Sequence, residues 1–225
     1  MIHQKWYILF FFSFFLGAMA SEQIKHDSIP GLATPNAELQ FQNKFYEALK
    51  QKGIENYTKA IDALISCSKL YPERAVVYYL LGGLYYKTKA YSRSEINLQK
   101  AIVLDKNNFW YKEKLYQLYV HTEDYNKAIS ALKPLLFKRQ AFKEELVHLN
   151  VSAGHYEAAL KQIEKLDLQY GYTSERDQFR VNIYLQTDNQ NAHLQFLKRR
   201  LSESPENTQH FLNLIYTLSQ YGLKN

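Results

Sequence analysis

The sequence predicts an all-α protein, an α-solenoid of antiparallel helix pairs. Three observations carry this. Gly and Pro are scarce, 8 and 5 in 225 residues, too few for a sheet protein built on tight turns. A short motif, Tyr followed three residues later by a small residue, recurs as Tyr57/Ala60, Tyr91/Ser94, Tyr125/Ala128 and Tyr156/Ala159, in steps of 34, 34 and 31 residues. A weaker copy lies at Gln190/His193. Self-similarity at such a period marks a repeat architecture. Lastly, each unit carries two apolar patterns at helical spacing.

The second unit shows the logic. Its first pattern is Tyr78, Leu81, Gly82 and Tyr85, and its second is Tyr91, Ser94, Ile96, Leu98, Ala101 and Ile102. Lys87 to Ala90 join them, and two helices on so short a loop lie antiparallel. Bulky side chains at the crossing would hold the backbones apart, so Gly82 and Ser94 allow close approach while the neighbouring rings fill the remaining volume. Ala48 and Ala60 serve the same purpose in the first unit. No unit can bury its own stripe, so neighbours must stack. Pro134 falls inside the second helix of the third unit, where it removes a hydrogen bond and bends the helix, and a change of superhelical direction is expected there.

The first residues stand apart. A polar start through Lys5, the apolar run Trp6 to Leu16 and small residues at Ala18 and Ala20 form the layout of a secretory signal peptide, cleaved after Ala20. The run is too short to span a bilayer comfortably, which leaves an uncleaved anchor as the lesser alternative, and no Cys follows it to carry a lipid. Residues 21–36, with Pro30, Gly31 and Pro35, read as a flexible leader. Thr34 and Pro35 suit the cap and first residue of the opening helix. The chain is expected to be exported, to a periplasm or the extracellular space.

Composition excludes several functions. Cleavage would leave 27 basic and 22 acidic residues, a mild +5 spread along the chain. Its densest stretches, Lys138-Arg139 and Lys198 to Arg200, read as solvated helix faces and not as a nucleic-acid footprint. The single Cys67 permits no internal disulfide and sits on a core stripe, so it is expected to be buried. No phosphate-binding Gly-rich loop or Gly-x-Ser-x-Gly nucleophile motif is present. His148 and His155 read as solvated or partly packed, and Glu144-Glu145 as an exposed helical pair. The expectation is a non-enzymatic protein with no metal, no cofactor and no membrane span after signal cleavage.

The 34-residue unit, with its aromatic, Leu-Gly, Tyr, small residue and closing Pro, resembles the tetratricopeptide repeat. Tyr78, Leu81, Gly82 and Tyr85 match the first-helix signature, and Ser94, Leu98 and Ala101 the second. The resemblance implies a right-handed superhelix. It places units at about 41–74, 75–108, 109–139, 140–173 and 174–207, within an array over 37–225 that closes on a terminal helix at 208–221. The array departs from the pattern at Tyr116, Arg180 and His193. In the terminal helix, Phe211, Leu214, Ile215 and Leu218 make an apolar face, and His210, Asn213, Thr217 and Gln220 a polar one. This helix is either a solvating cap or the start of a further unit in a longer array.

In this family the first helices line a concave groove. Carried over residue by residue, the lining is Phe45, Leu49, Val76, Tyr79, Tyr86, Trp110, Glu113 and Gln117. Phe45, Tyr79, Tyr86 and Trp110 would make an aromatic strip suited to anchoring a peptide, or would instead pack against neighbouring helices. The carboxylate clamp of some relatives is absent, because its places include Val76, Leu80 and Trp110. The expected partner is a protein or an apolar peptide. The alternative is a sensor ectodomain of a longer signalling chain.

Overall fold

A computed structural model describes residues 35–222 of the protein. The signal segment, most of the leader and the last three residues lie outside the described residues. The helices are α1 (Pro35–Gly53), α2 (Tyr57–Leu70), α3 (Ala75–Lys87), α4 (Tyr91–Leu104), α5 (Phe109–His121), α6 (Tyr125–Leu132), α7 (Ala141–Ser152), α8 (Tyr156–Tyr170), α9 (Ser174–Gln186), α10 (Gln190–Glu203) and α11 (Thr208–Gln220). No strand occurs among the described residues. From α2 onward each helix packs on the next in chain order, which is a solenoid of helix pairs.

The junction inside each pair repeats one backbone device. Glu55, Lys89, Glu123, Gly154 and Asp188 all adopt positive φ, from 50° to 73°. The amide after each reaches back to close the first helix: Ala90 N donates to the Tyr85 carbonyl at 2.8 Å, and Asn189 N to the Tyr184 carbonyl at 2.8 Å. This is a left-handed helix stop, usually made by glycine. Only Gly154 among these five takes it without side-chain strain. The next helix then starts on a side-chain cap in several units. Asn56, Asp124 and Asn189 accept hydrogen bonds from the amides of Lys59, Lys127 and Ala192.

The crossing of α3 and α4 is as tight as the small residues require. Ser94 Oγ donates to the Gly82 carbonyl at 2.7 Å. A Cβ on Gly82 would lie 2.6 Å from Leu98 Cγ. Ser94, Leu98 and Ala101 are all fully buried, as are Ala48 and Ala60 in the first unit. Cys67 is buried too, and burial pushes its thiol pKa up. Ile96 does not belong to the buried stripe and is 64% exposed. It lies two residues from both Ser94 and Leu98, about 200° around the helix, and so faces away from them.

Pro134 ends its helix instead of bending it. α6 stops at Leu132 after 8 residues, and Lys133–Leu135 form a 3-10 turn. Continued helix would drive the proline ring into the carbonyl four residues back. Leu132 and Leu135 stay buried in the core that α5, α6 and α7 share. Tyr116, where a small residue was expected, is accommodated in the same core, edge-on to Phe142 at 6.1 Å. Burial, with Glu145 beside it, pushes the Tyr116 phenol pKa well up.

Candidate functional site

The first helices α1, α3 and α5 carry all eight candidate groove residues, and the structure sorts them by exposure. Leu49, Val76, Trp110 and Gln117 are exposed, Trp110 at 60%. Val76 and Trp110 hold the same position one 34-residue step apart. Phe45, Tyr79 and Tyr86 are half-buried. Tyr79 stacks on Tyr111 with ring centres 4.9 Å apart. Tyr86 stands edge-on to His121 at 5.0 Å and tilted against Tyr91 at 6.0 Å. Both rings are therefore largely engaged in helix packing.

Glu113 is only 7% exposed. Arg139 Nη1 donates to Glu113 Oε1 at 2.7 Å, and the same guanidinium lies over the rings of Phe109 and Phe142, at 5.0 and 5.2 Å. Arg139 follows the 3-10 turn, so the shortened unit supplies the cation that neutralises this carboxylate. Trp110 stands at the edge of this cluster, edge-on to Phe109 at 5.2 Å.

The first-helix face is also more basic than its aromatic strip suggests. Lys114 Nζ sits 5.0 Å from the Tyr86 ring centre and donates to Gln117 Oε1 at 3.4 Å. Burial, then Lys87 and more weakly Lys52, hold its ammonium pKa below the usual lysine range, against the pull of Glu113. Sequence reasoning passed over Lys114 and read Arg139 only as part of a solvated basic stretch. Lys114 occupies the place of Leu80 one unit on, and that register was the available signal. Arg139 carried no signal, because its partner lies 26 residues away.

The second missed feature is an ionic ladder under α8, α9 and α10. Arg176 donates to Asp167 Oδ1 at 2.7 Å, to Glu144 Oε1 at 2.8 Å and to the Gly171 carbonyl. Arg180 donates to the other Asp167 oxygen at 2.6 Å and to Asp177 Oδ1 at 3.0 Å. Arg200 bridges Asp177 and Glu203, at 3.0 and 3.1 Å, and lies 4.0 Å over the Tyr172 ring. This explains why Arg180 stands where an apolar residue was expected. It is buried, and two carboxylates share its charge. Glu144 is half-buried and ion-paired, not merely an exposed helical acid. Burial pushes the Asp177 carboxyl pKa up, although Arg200 and Arg180 pull the other way.

The other departure, His193, is also buried. Its Nδ1 shares a hydrogen bond with the Tyr221 hydroxyl at 2.8 Å, which ties α10 to the end of α11. Burial lowers its pKa. α11 itself is turned differently from the sequence expectation. Thr217 is buried beside Leu214, whereas Phe211 and Ile215 are exposed at 51% and 41%. The inner edge of α11 is thus set by contact with Phe196 and Leu197 on α10.

No arrangement of nucleophile, base and oxyanion donors is formed by these residues; what they present is exposed apolar side chains and a half-buried lysine on a helical frame. That frame is a class of fold, the stacked helix-pair solenoid. Comparison with known structures specifies it further as the tetratricopeptide-repeat fold. YrrB, a tetratricopeptide-repeat protein with an unusual peptide-binding site, is 16% identical, with 76% of this chain and 89% of that one covered and a TM-score of 0.52. MamA is 17% identical over 76% of this chain and 96% of its own, with a TM-score of 0.54. A tetratricopeptide repeat protein from Parabacteroides merdae is 13% identical over 82% of this chain and 75% of its own, also at 0.54. No protein-family model matches the sequence. No curated protein matches it either.

Proposed function

We propose that this protein is an exported, non-catalytic interaction scaffold that holds a peptide or protein partner on its first-helix face. The single observation that carries this is Trp110, a large aromatic left 60% exposed on a helix whose other large side chains are mostly buried. Val76 and Leu49 are exposed apolar residues on the other two first helices, and Lys114, with Lys87 near it, adds positive charge on the helix of Trp110. Exposed aromatic anchors of this kind supply much of the binding energy in protein interfaces. The peptide-binding site named for YrrB, which has a similar fold, supports the same use of the frame. Export rests on the layout of residues 1–20, and the periplasm or cell exterior is the proposed location.

Two experiments test the proposal. Affinity capture with the native chain beside Trp110→Ala and Val76→Asp variants should retain partners that both variants lose, while circular dichroism of all three stays the same. Equal retention by all three would overturn the groove. Fractionation and N-terminal sequencing of the native protein should find it outside the cytoplasm and beginning at Ser21; a cytoplasmic chain that keeps residues 1–20 would overturn export.

A further inference from the structure

The helix bounds of α3–α5 and α9–α11 match in register residue for residue. α3 spans Ala75–Lys87 and α9 Ser174–Gln186; α4 spans Tyr91–Leu104 and α10 Gln190–Glu203; α5 spans Phe109–His121 and α11 Thr208–Gln220. Every bound differs by the same 99 residues. The two triplets can therefore be compared position by position, and they differ at one place that matters for binding.

In the first triplet, Tyr86 projects from α3 into the angle between α4 and α5. His121 stands edge-on to its ring, Lys114 lies over it, and Tyr91 closes the side. In the second triplet the matching residue is Leu185, which is 55% exposed. There a cavity of about 290 Å³ opens between α9, α10 and α11. Two of its lining residues stand in the places of Tyr86's neighbours, and others follow the same 99-residue step. Gln220 takes the place of His121, Asn213 that of Lys114, Leu197 that of Leu98, His193 that of Ser94, and Val181 that of Gly82. Thus the position that carries a packed tyrosine ring in one triplet carries an exposed leucine beside an open cavity in the other.

We propose that this cavity is a binding site for an aromatic side chain, tyrosine or phenylalanine, presented by a peptide partner. The protein itself packs a tyrosine ring at the equivalent position of its first triplet. Leu185, Leu197 and Val181 offer an apolar wall, and Asn213, Gln220 and the His193–Tyr221 pair offer polar groups within the same pocket. A mostly apolar concavity with a few placed polar groups is the usual form of a ligand site, and an apolar cavity of about 150 Å³ already accepts a benzene ring. Leu185 and Tyr216 hold the groove registers of Tyr86 and Gln117, so the site extends the proposed first-helix face and rests on that reading, while a probe titration reads it without Trp110.

The test is a titration of the whole protein with N-acetyl-tyrosinamide, N-acetyl-leucinamide and p-cresol, read by NMR shifts. N-acetyl-tyrosinamide should shift Val181, Leu197 and Thr217 saturably and leave α3 to α5 unmoved, and N-acetyl-leucinamide should act several-fold more weakly. Leu185→Tyr supplies the ring from within, so it should lose this response and melt no lower than the native chain. The proposal is overturned by an absence of saturable shifts, by equal response to the leucine probe, or by p-cresol binding without N-acetyl-tyrosinamide binding. A less stable Leu185→Tyr would also overturn it, because the ring would then not fit.

Discussion

Replacing Gly82 by alanine sets two effects of opposite sign against each other at the α3–α4 crossing. A methyl group there would lie 2.6 Å from Leu98 Cγ, 2.7 Å from Leu98 Cδ2 and 3.3 Å from the Leu98 backbone nitrogen. Alanine in place of glycine inside a helix gains about 0.8–1.0 kcal/mol by propensity alone. Overpacking a filled site costs about 1–3 kcal/mol. Leu98 is fully buried, so its side chain has no open space to swing into, and the backbone nitrogen cannot rotate away. Separation of the helices would also stretch the 2.7 Å bond from Ser94 to the Gly82 carbonyl. The net expectation is a loss of about 1–2 kcal/mol, or roughly 2–8 °C in the melting midpoint for a chain of this size. Far-UV circular dichroism melts measure the loss, and hydrogen exchange should place it in α3 and α4. Truncating Leu98 to alanine should cost about 2–5 kcal/mol alone, yet less when Gly82→Ala is already present, because the new methyl enters the vacated space. A Gly82→Ala chain that melts higher than the native one, by the propensity gain, would refute the tight crossing.

Other perturbations follow from the helix stops, the ladder and the buried histidine. Lys89→Gly should stabilise the chain by up to about 1 kcal/mol, since Lys89 pays a left-handed backbone penalty at φ 60° that glycine does not; urea titration measures it. Arg180→Ala should cost about 3–5 kcal/mol, because it strips Asp167 of one of two buried cations, and the loss should appear in α8 to α10 ahead of α3 to α5 by hydrogen exchange. His193 has a folded pKa below its unfolded value, since burial disfavours the imidazolium between Tyr184 and Tyr221. The unfolded chain therefore binds more protons below the ordinary histidine range. Stability from this residue is complete above that range and is lost as pH falls through the folded pKa. His193→Gln should flatten that acid limb of a stability–pH profile, and an unchanged limb would assign it to other groups.

What the sequence by itself determined is the local and periodic part of the structure. The 34-residue step, the helix pairs and the small residues at the crossing were legible because helix formation and close packing depend on residue type at fixed spacing. Gly82, Ser94 and Cys67 are where that logic put them. Tertiary structure alone decided which polar residues are solvated. Glu113 matched a groove position by register, yet Arg139 from beyond the 3-10 turn neutralises it in the interior. Arg180 and His193 looked like flaws in the repeat until Asp167 and Tyr221 were brought to them. A buried charge or imidazole is set by partners far along the chain, and periodicity in one helix carries no information about them. The opening beside Leu185 belongs to the same category. A leucine in a helix carries no signal in sequence, and only the walls assembled from three helices show the cavity beside it.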